Sequence, residues 1–447
     1  MRIRKIEVKN LFGIFYHEIP LNMKDRITII HGPNGYGKTV LLTMLNALFN
    51  ANYRAIQSIP FGEMRVDFED KSSLIVKKRS KIETQEKNGT GLLLELSKGH
   101  LKAKTHLVEP RISQQEFRFP LSIIEKEIPT LDRIGPEAWV HMPTQEPLSL
   151  EEVLDRFGDR LPNVYHRISK TGKEPDWLQK MRGSIHIRFI GAQRLYTFAK
   201  FRRPRDYEGM PPMVPSVTSY SEELANQIQA KLAEYATLSQ SLDRTFPTRL
   251  VKESSALAPT IEELRNNLAE LEEKRSRLMA AGLLDKEKEI DFKDMQQINE
   301  SNRNVLSVYI EDVRKKLSVL DELTNKIDLL VKIINSRFLY KQLSISKKDG
   351  FMFRTSEGKD ISPIKLSSGE QQELVLLYEL LFKVTPNSLI LIDEPELSLH
   401  ILWQQEFLRD LEEIIKIAGL DFLIATHSPQ IIHNRWDLAV ELKGPVK

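Results

Sequence analysis

Hydrophobic positions near both ends of the chain follow the pattern of strands that alternate with helices. Ile6 and Val8 alternate with polar neighbours, which predicts a half-buried strand, and residues 26–30 form a short apolar run that predicts a buried one. Residues 388–392 and 422–425 are further apolar runs, separated by an amphipathic helix. Strands this short, flanked by helices, are typical of a buried parallel sheet, so the sequence predicts an α/β fold.

The middle of the chain, between about residues 221 and 336, has the pattern of long amphipathic helices instead. Apolar residues recur there at alternating spacings of four and three, the heptad spacing of a coiled coil. The longer series is Leu306, Ile310, Val313, Leu317, Leu320, Thr324, Ile327, Val331 and Ile334, broken only at Thr324, and the shorter one is Ile261, Leu264, Leu268, Leu271 and Leu278. We expect antiparallel arms that pair with each other, or that mediate oligomers and hold a partner.

Composition limits the chemistry that this chain can perform. Its 447 residues include no cysteine, which excludes disulfides, thiol catalysis and thiolate zinc sites and is typical of a reducing compartment. Because no apolar run reaches the ~18 residues of a membrane span, we expect a cytoplasmic protein without a membrane partner. The net charge of +3 is too small to predict a nucleic-acid binder, but the basic stretches 77–81 and 200–205 keep DNA or a protein partner open.

A glycine-rich segment follows the apolar run at 26–30. From Gly32 to Thr39 it fits the pattern GxxxxGK[ST], with a predicted strand before it and a predicted helix after it. Its backbone N–H groups would point at one phosphate chain, Lys38 would reach the β- and γ-phosphates, and the Thr39 hydroxyl would hold Mg²⁺. The predicted nucleotide-binding residues are Gly32, Pro33, Asn34, Gly35, Tyr36, Gly37, Lys38, Thr39 and Val40.

Two adjacent carboxylates, Asp393 and Glu394, follow the apolar run at 388–392, at the strand end where parallel sheets bind ligands. We expect Asp393 to orient Mg²⁺ through water and Glu394 to act as the general base that polarises the attacking water. His427 follows the next predicted strand, where its ring could bond a γ-phosphate and sense its loss. The three side chains together predict hydrolysis of a nucleotide.

Gln193 is a further candidate, because it follows the predicted strand at 185–190. It is placed to contact Mg²⁺ and the attacking water, a role for which Arg194 and other glutamines remain alternatives. Ser367, followed three residues later by Glu370, has the form of a capping box that opens a helix.

These motifs, in this order, resemble the ATP-binding head of the ABC class of ATPases. The resemblance assigns Walker A to 32–39, the Q-loop to Gln193, the signature LSSGE to 366–370, Walker B to 389–394, the D-loop ELSLH to 396–400 and the switch histidine to His427. The long interval between Walker A and Walker B is similar to the SMC and RecF branch. The resemblance implies an ABC-type P-loop NTPase head, split by a helical coiled-coil insertion, with ATP and Mg²⁺ as cofactors.

The resemblance also implies a division into three segments. Residues 1–215 would form the N-terminal part of the ATPase head, 216–338 the helical insertion, and 339–447 the C-terminal part of the head. Residues 100–180 have no clear period and are a poorly defined part of the first segment. The resemblance further implies that the signature of one copy, with Ser367, Ser368, Gly369 and Glu370, binds the nucleotide held by the phosphate loop of a second copy. The N-terminus of the helix at Ser367 would present hydrogen-bond donors and positive potential to the γ-phosphate. Each chain has one phosphate loop and one signature. The expected assembly is therefore a homodimer or a higher even oligomer.

The opening IRKIEVKNLFGIFYHEIPL and the closing LIDEPELSLH and THSPQII are more specifically similar to OLD-family nucleases and to the ATPase subunits of antiphage systems such as PARIS and Septu. OLD proteins carry a TOPRIM nuclease domain after the switch histidine, and residues 428–447 are too few for it. We therefore expect a separate effector protein, commonly a nuclease, as the partner.

Three functions are compatible with these motifs. The first is a regulatory ATPase that restrains or licenses an effector in a two-component antiphage system. The second is a DNA-repair or chromosome-maintenance ATPase of the RecF or SMC kind, which clamps DNA directly. The third is a scaffold that binds ATP and hydrolyses it very slowly, so that binding alone controls assembly.

Overall fold

The chain divides into two compact units in the computed structural model. The first comprises residues 1–214 and 384–447, and the second comprises residues 215–383. The structure describes residues 1–78, 91–99, 103–108, 124–125, 128, 131–135, 138–141, 146–150, 153, 175–191, 195–198, 213–252, 259–285, 302–397 and 399–445. The three-segment division made from the sequence stays a prediction.

The described strands and helices are numbered here in chain order. The strands are β1 (Ile3–Leu11), β2 (Phe15–Pro20), β3 (Ile27–His31), β4 (Glu63–Phe68), β5 (Ser72–Lys78), β6 (Leu92–Lys98), β7 (Lys104–Val108), β8 (Leu131–Gly135), β9 (Ala138–His141), β10 (Glu146–Ser149), β11 (Ile187–Ile190), β12 (Tyr196–Phe198), β13 (Met213–Pro215), β14 (Lys341–Ser346), β15 (Gly350–Thr355), β16 (Asp360–Ile361), β17 (Leu389–Asp393), β18 (Asp421–Thr426) and β19 (Ala439–Glu441). The helices are α1 (Lys38–Phe49), α2 (Tyr53–Ser58), α3 (Asp176–Gly183), α4 (Ser216–Lys252), α5 (Ile261–Ala280), α6 (Arg303–Ser318), α7 (Asp321–Arg337), α8 (Ser368–Phe382), α9 (Ile401–Ala418) and α10 (Pro429–Ile432).

A parallel sheet with the strand order β11-β17-β18-β3-β19 forms the centre of the first unit. The three inner strands, β17, β18 and β3, are mainly apolar and buried on both faces, as a sheet covered by other elements requires. Ile392 pairs with Ile424, and Ala425 pairs with Ile30, so β17, β18 and β3 end at the same edge. Helix α1 packs against β11, β17 and β18. The predicted α/β fold is therefore confirmed.

A second sheet of the first unit is antiparallel, with the order β2-β1-β4-β5-β6-β7. Ile6 and Val8 of β1 are fully buried, as their alternation with polar residues predicted. Side chains of this sheet join those of α1 and of β17 and β18 in one apolar core. Strands β7 to β10 lie in the part of the sequence that had no clear period.

The second unit consists of helices α4 to α8 and a small antiparallel sheet, β14-β15-β16. Helix α6 packs against α4 and α5, and α8 packs against α4 and α7. Four leucines of the shorter predicted series are buried on α5, namely Leu264, Leu268, Leu271 and Leu278. Along the chain this mainly helical unit lies between the two parts of the first unit, as the predicted helical insertion does.

The longer predicted series differs from the expectation in one respect. It is divided between two helices, because α6 ends at Ser318 and α7 begins at Asp321. At the junction the N–H of Leu320 bonds the carbonyl of Leu317, three residues back, which tightens the turn. Thr324, the one polar residue of that series, lies inside α7 with its hydroxyl bonded to the Leu320 carbonyl at 2.7 Å. A buried threonine satisfied in this way does not end a helix. In the part of the chain that the structure describes, no helix combines the length and the apolar character needed to span a membrane.

Candidate nucleotide-binding site

The phosphate loop, residues 32–37, joins the end of β3 to the start of α1. Gly37 is the residue before α1 and has a φ of 84°, in the left-handed region that glycine adopts without strain. A Cβ at this position would lie 2.8 Å from Cδ2 of Leu11. Both the backbone angle and the close packing therefore favour glycine there, and the first turn of α1 starts directly from the loop.

The ammonium of Lys38 is buried at the base of this loop. Its Nζ donates to the carbonyls of Gly32 at 2.7 Å and Pro33 at 3.1 Å, and lies 3.2 Å from Nδ1 of His427. Burial lowers the pKa of Lys38, and the nearby carboxylates of Glu394, Asp393 and Glu396 act against that lowering. Three acceptors match the three donors of an ammonium group, so each proton of Lys38 has a partner.

Thr39 and Asp393 lie together although they are far apart along the chain. The Thr39 hydroxyl donates to Oδ1 of Asp393 at 3.1 Å, because α1 starts beside the carboxyl end of β17. Burial raises the pKa of Asp393, the hydrogen bond from Thr39 lowers it, and the neighbouring charges of Glu394 and Glu396 raise it further. A hydroxyl beside a carboxylate is a set of hard oxygen ligands of the kind that Mg²⁺ prefers.

Glu394 follows β17 with a φ of 44°, which is uncommon for a residue with a Cβ. Its N–H donates to the carbonyl of Ala425 at 2.9 Å, so the neighbouring strand β18 holds this backbone conformation. Its Oε1 lies 3.6 Å from Nε2 of His427. Left-handed residues that are held by surrounding structure concentrate at functional sites.

His427 follows β18 and faces both Lys38 and Glu394. Because an ammonium only donates, Nδ1 of His427 must accept from Lys38, which places the ring proton of the neutral form on Nε2 and toward Glu394. The backbone N–H of His427 donates to Oε1 of Glu396 at 2.8 Å. Glu396 was not among the predicted site residues, and its contact depends on the pairing of β17 with β18.

The remaining predicted loop residues differ in exposure. Pro33, Asn34 and Gly35 are exposed, whereas Val40 is half-buried against the apolar core. A Cβ added at Gly32 would lie 3.4 Å from the Cβ of Leu442, which is an ordinary van der Waals contact. Gln193, the predicted Mg²⁺ and water contact, lies outside the described residues.

His17 holds the phosphate loop from the antiparallel sheet. Its side chain is 2% exposed, and Nε2 lies 2.9 Å from the carbonyl of Tyr36, which can only accept, so Nε2 is the donor. Burial lowers the pKa of His17, against a smaller opposite effect of this hydrogen bond. The ring of Phe15 stacks on His17 and also packs against the Tyr36 ring. The sequence motif gave no signal for His17, because it lies on a separate strand.

The signature residues belong to the second unit, where Ser367 is the N-cap of α8 and Ser368, Gly369 and Glu370 form its first turn. Ser367 and Glu370 form the predicted capping box. The N–H of Glu370 donates to Oγ of Ser367 at 3.3 Å, and the N–H of Ser367 donates to Oε2 of Glu370 at 2.8 Å. Ser367 and Ser368 are exposed, so the start of the helix faces solvent.

Lys341 completes this turn from β14. Its Nζ lies 2.8 Å and 2.7 Å from the two carboxylate oxygens of Glu370. Burial acts to raise the pKa of Glu370, but hydrogen bonds from Lys341 and Ser367 outweigh it, so the pKa lies below its ordinary value. The capping box was readable from the sequence, whereas Lys341 was not.

The sequence model of the AAA ATPase domain family matches residues 1–136 and 211–432, which is most of the chain. The chain belongs to the AAA ATPase domain family. The assignment to a class of ATPases, made from the resemblance of the motifs, is therefore confirmed, and membership of this family implies the binding of a nucleotide.

This AAA ATPase domain is also similar to individual proteins. The curated "Retron Ec83 probable ATPase" of Escherichia coli is 24% identical over an alignment of 465 residues, gaps included. The alignment covers 97% of this chain and 70% of that protein. The SMC head domain of Thermotoga maritima is 11% identical with a TM-score of 0.32, covering 98% of this chain and 92% of that one. The Smc head domain of Pyrococcus furiosus, with an extended coiled coil and bound to the C-terminal domain of ScpA, is 13% identical with a TM-score of 0.31, covering 97% and 91%.

Proposed function

We propose that this AAA ATPase domain binds and hydrolyses ATP within a homodimer, or a higher even assembly, that closes around nucleotide. We further propose that this cycle controls a separate effector protein, a nuclease or toxin, in a prokaryotic antiphage system. The observation that carries the first part is the convergence of Thr39 and Asp393, whose oxygens lie 3.1 Å apart across 354 sequence positions.

The nucleotide would bind at the phosphate loop. Lys38 now directs two of its donors at carbonyls of its own loop, Gly32 and Pro33. Phosphate oxygens are stronger acceptors than carbonyls, because they carry charge. We therefore expect an incoming phosphate chain to replace those carbonyls, while the uncapped N-terminus of α1 supplies further N–H donors and a positive potential.

Thr39 and Asp393 would hold Mg²⁺, since both offer oxygen ligands at the edge of the sheet. A bound Mg²⁺ supplies charge that screens the phosphate oxygens from the attacking water. Gln193, another predicted ligand, remains part of the proposal. The rest of the chemistry falls to side chains of the chain itself.

Glu394 is the proposed general base. Its carboxylate would orient the attacking water and accept a proton from it. Support comes from its left-handed backbone, which directs the residue away from the line of β17, and from its position 3.6 Å from His427. His427, bonded to Lys38 through Nδ1, would sense the γ-phosphate through the displacement of that contact.

The assembly follows from having one phosphate loop and one signature per chain. The exposed first turn of α8 in one copy would close over the nucleotide held by the phosphate loop of another copy. Such a site exists only when two copies meet, so a single bound phosphate can bias closure. The proposed role in defence is supported by the similarity to an ATPase that is named for a retron.

Glu394→Gln tests this proposal, because it keeps the size of the side chain and removes the base. With ATP and Mg²⁺ we expect the variant to accumulate the closed dimer, so that light scattering gives about twice the mass of one chain. Glu406→Gln is the matched control, since Glu406 is exposed on α9 and, in the part of the chain that the structure describes, bonds only with the nearby Arg409. A single-chain mass for Glu394→Gln with ATP would contradict the proposal.

The effector is tested by purification from the native host with and without ATP. The defence role is supported if a nuclease or toxin co-purifies with the chain and if the amount that co-purifies changes when ATP is present. ATP turnover that rises with added DNA and falls steeply with salt favours the DNA-clamping alternative instead. Turnover below ~10⁻³ s⁻¹ in single-turnover experiments favours the scaffold.

A further inference from the structure

We propose that Lys341 is a positioning residue of the signature turn, residues 366–370, acting through its ion pair with Glu370. This inference rests on the proposed function, because it concerns how the turn is prepared for a phosphate chain bound by a second copy. No sequence motif assigns Lys341 a role, and it lies outside the signature by more than twenty residues.

The Glu370 carboxylate is the centre of a closed set of hydrogen bonds. It accepts from the N–H of Ser367 at 2.8 Å, from the Ser367 hydroxyl at 2.9 Å, and from Lys341 through both oxygens. Its side chain is 13% exposed, against 25% for Lys341. The orientation of Ser367, the proposed phosphate ligand, is therefore set by where Glu370 lies.

Charge gives Lys341 a second effect. A carboxylate in the first turn of a helix stabilises that helix, but it also opposes the approach of another anion to the same N–H groups. The ammonium of Lys341, less than 3 Å from both carboxylate oxygens, balances that charge. Without it, Glu370 would keep its capping bonds and present an unbalanced negative charge beside the incoming phosphate.

The position of Lys341 is fixed independently of α8. Lys341 is the first residue of β14 and pairs with Thr355 of β15, and the carbonyl of the preceding Tyr340 accepts from the N–H of Ser356. A backbone held in a sheet positions a side chain more precisely than a free loop does. Lys341 therefore steadies the signature turn from a separate element.

Lys341→Met is the direct test, because methionine keeps the aliphatic stem and removes the charge. We expect the Kd of the single chain for a fluorescent ATP analogue to be unchanged, since the phosphate loop is intact. We expect ATP turnover to fall about tenfold, as the loss of one charge-assisted contact predicts. The protein concentration that gives half-maximal turnover should rise, because closure is weaker.

Three further variants separate charge from packing. Lys341→Arg should restore most of the turnover, because it keeps the positive charge. Lys341→Met in a Glu370→Gln background should have little additional effect, since a glutamine still forms the capping box and needs no counter-charge. Lys359→Met is the matched control, because Lys359 lies in the turn between β15 and β16 and, among the described residues, its ammonium pairs only with the exposed Glu357.

The outcomes distinguish this inference from the proposed function. If Lys341→Met turns over ATP as fast as Lys359→Met while Ser367→Arg is inactive, the role of Lys341 is overturned and the composite site stands. If Ser367→Arg is as active as the unaltered chain, the composite site itself fails. An equal loss from Lys341→Met in both Glu370 backgrounds would show a packing effect and overturn the role of charge. Should Lys341→Met not fold, Lys341→Gln provides the same comparison.

Discussion

The two helix N-termini proposed to meet phosphate, those of α1 and α8, are built in opposite ways. Helix α1 follows the left-handed Gly37, has no acidic residue in its first turn and, among the described residues, no side chain that caps it. Helix α8 follows Ser367 and is capped by Glu370, which is in turn paired with Lys341. An uncapped terminus leaves its N–H groups to a ligand, whereas a capped one already uses some of them.

This difference suggests an order of events. Helix α1 has the buried Lys38 and, among the described residues, no side-chain cap on its first N–H groups, so it would bind nucleotide within one chain. Helix α8 is stable without a ligand, and its serine hydroxyl already donates to Glu370. Its contribution to binding would come only on closure, when a phosphate held by another copy competes for that hydroxyl. The predictions below test that contrast, starting with the largest expected effect.

Lys38→Ala should weaken nucleotide binding at least about 100-fold, because charge-assisted contacts to phosphate are lost. Ser367→Ala should leave binding to the single chain unchanged, since α8 acts only on closure. Both are measured by titration with a fluorescent ATP analogue under conditions where the chain is not assembled. Lys24→Ala, at an exposed lysine of the same unit, is the control. Retained affinity in Lys38→Ala would count against the phosphate-loop assignment.

Gly37→Ala should weaken binding by about tenfold, because it adds strain at a φ of 84° and a Cβ 2.8 Å from Leu11. Gly358→Ala is a matched control, with a φ of 82° and no atom within 4 Å of the added Cβ. Both substitutions strain the backbone to a similar degree. A difference in affinity between the two variants therefore comes from the position of Gly37 in the phosphate loop. Equal affinity for the analogue in the two variants would contradict the proposed need for a glycine before α1.

Acid should destabilise the α1 side before the α8 side. Burial lowers the pKa of His17 below 6.5, so folding favours its neutral form, and that stability is lost as the pH falls below 6.5 toward the folded pKa. The lowered pKa of Glu370 gives stability above its ordinary 4.5 that is lost only at more acidic pH. The free energy of unfolding measured from pH 7.5 to 5.5 should therefore fall modestly.

His17→Gln should remove most of that fall, because an amide can donate to the Tyr36 carbonyl and does not titrate in this range. His106→Gln, at a half-buried histidine of the same antiparallel sheet, is the matched control and should keep the pH dependence. The two variants are compared by the difference between their free energies of unfolding at pH 7.5 and at pH 5.5. If His17→Gln keeps the same difference as the unaltered chain, the titration of His17 does not cause the loss of stability.

The sequence was sufficient for those parts of the site that depend on local pattern. The strand, glycine loop and helix around Lys38 and the Ser367 capping box follow from residues a few positions apart, and parallel strands bring Asp393 and His427 to the edge where β3 ends. His17 and Lys341 could not be found in this way, and neither could the contact of Glu396, a residue of the predicted D-loop, with the N–H of His427. Their contacts depend on strand register and on which elements become neighbours, which short-range spacing does not encode. The division of the long heptad series at residues 319 and 320 likewise follows from a local tightening that its apolar spacing conceals.

The most direct measurement mixes two inactive variants, Lys38→Ala and Ser367→Arg. In a mixed pair, the phosphate loop of the Ser367→Arg copy meets the signature of the Lys38→Ala copy, which rebuilds one complete site. With equal amounts and random pairing, ATP turnover should return to about a quarter of that of the unaltered chain. Turnover no higher than the sum of the two separate variants would contradict a nucleotide site shared between copies.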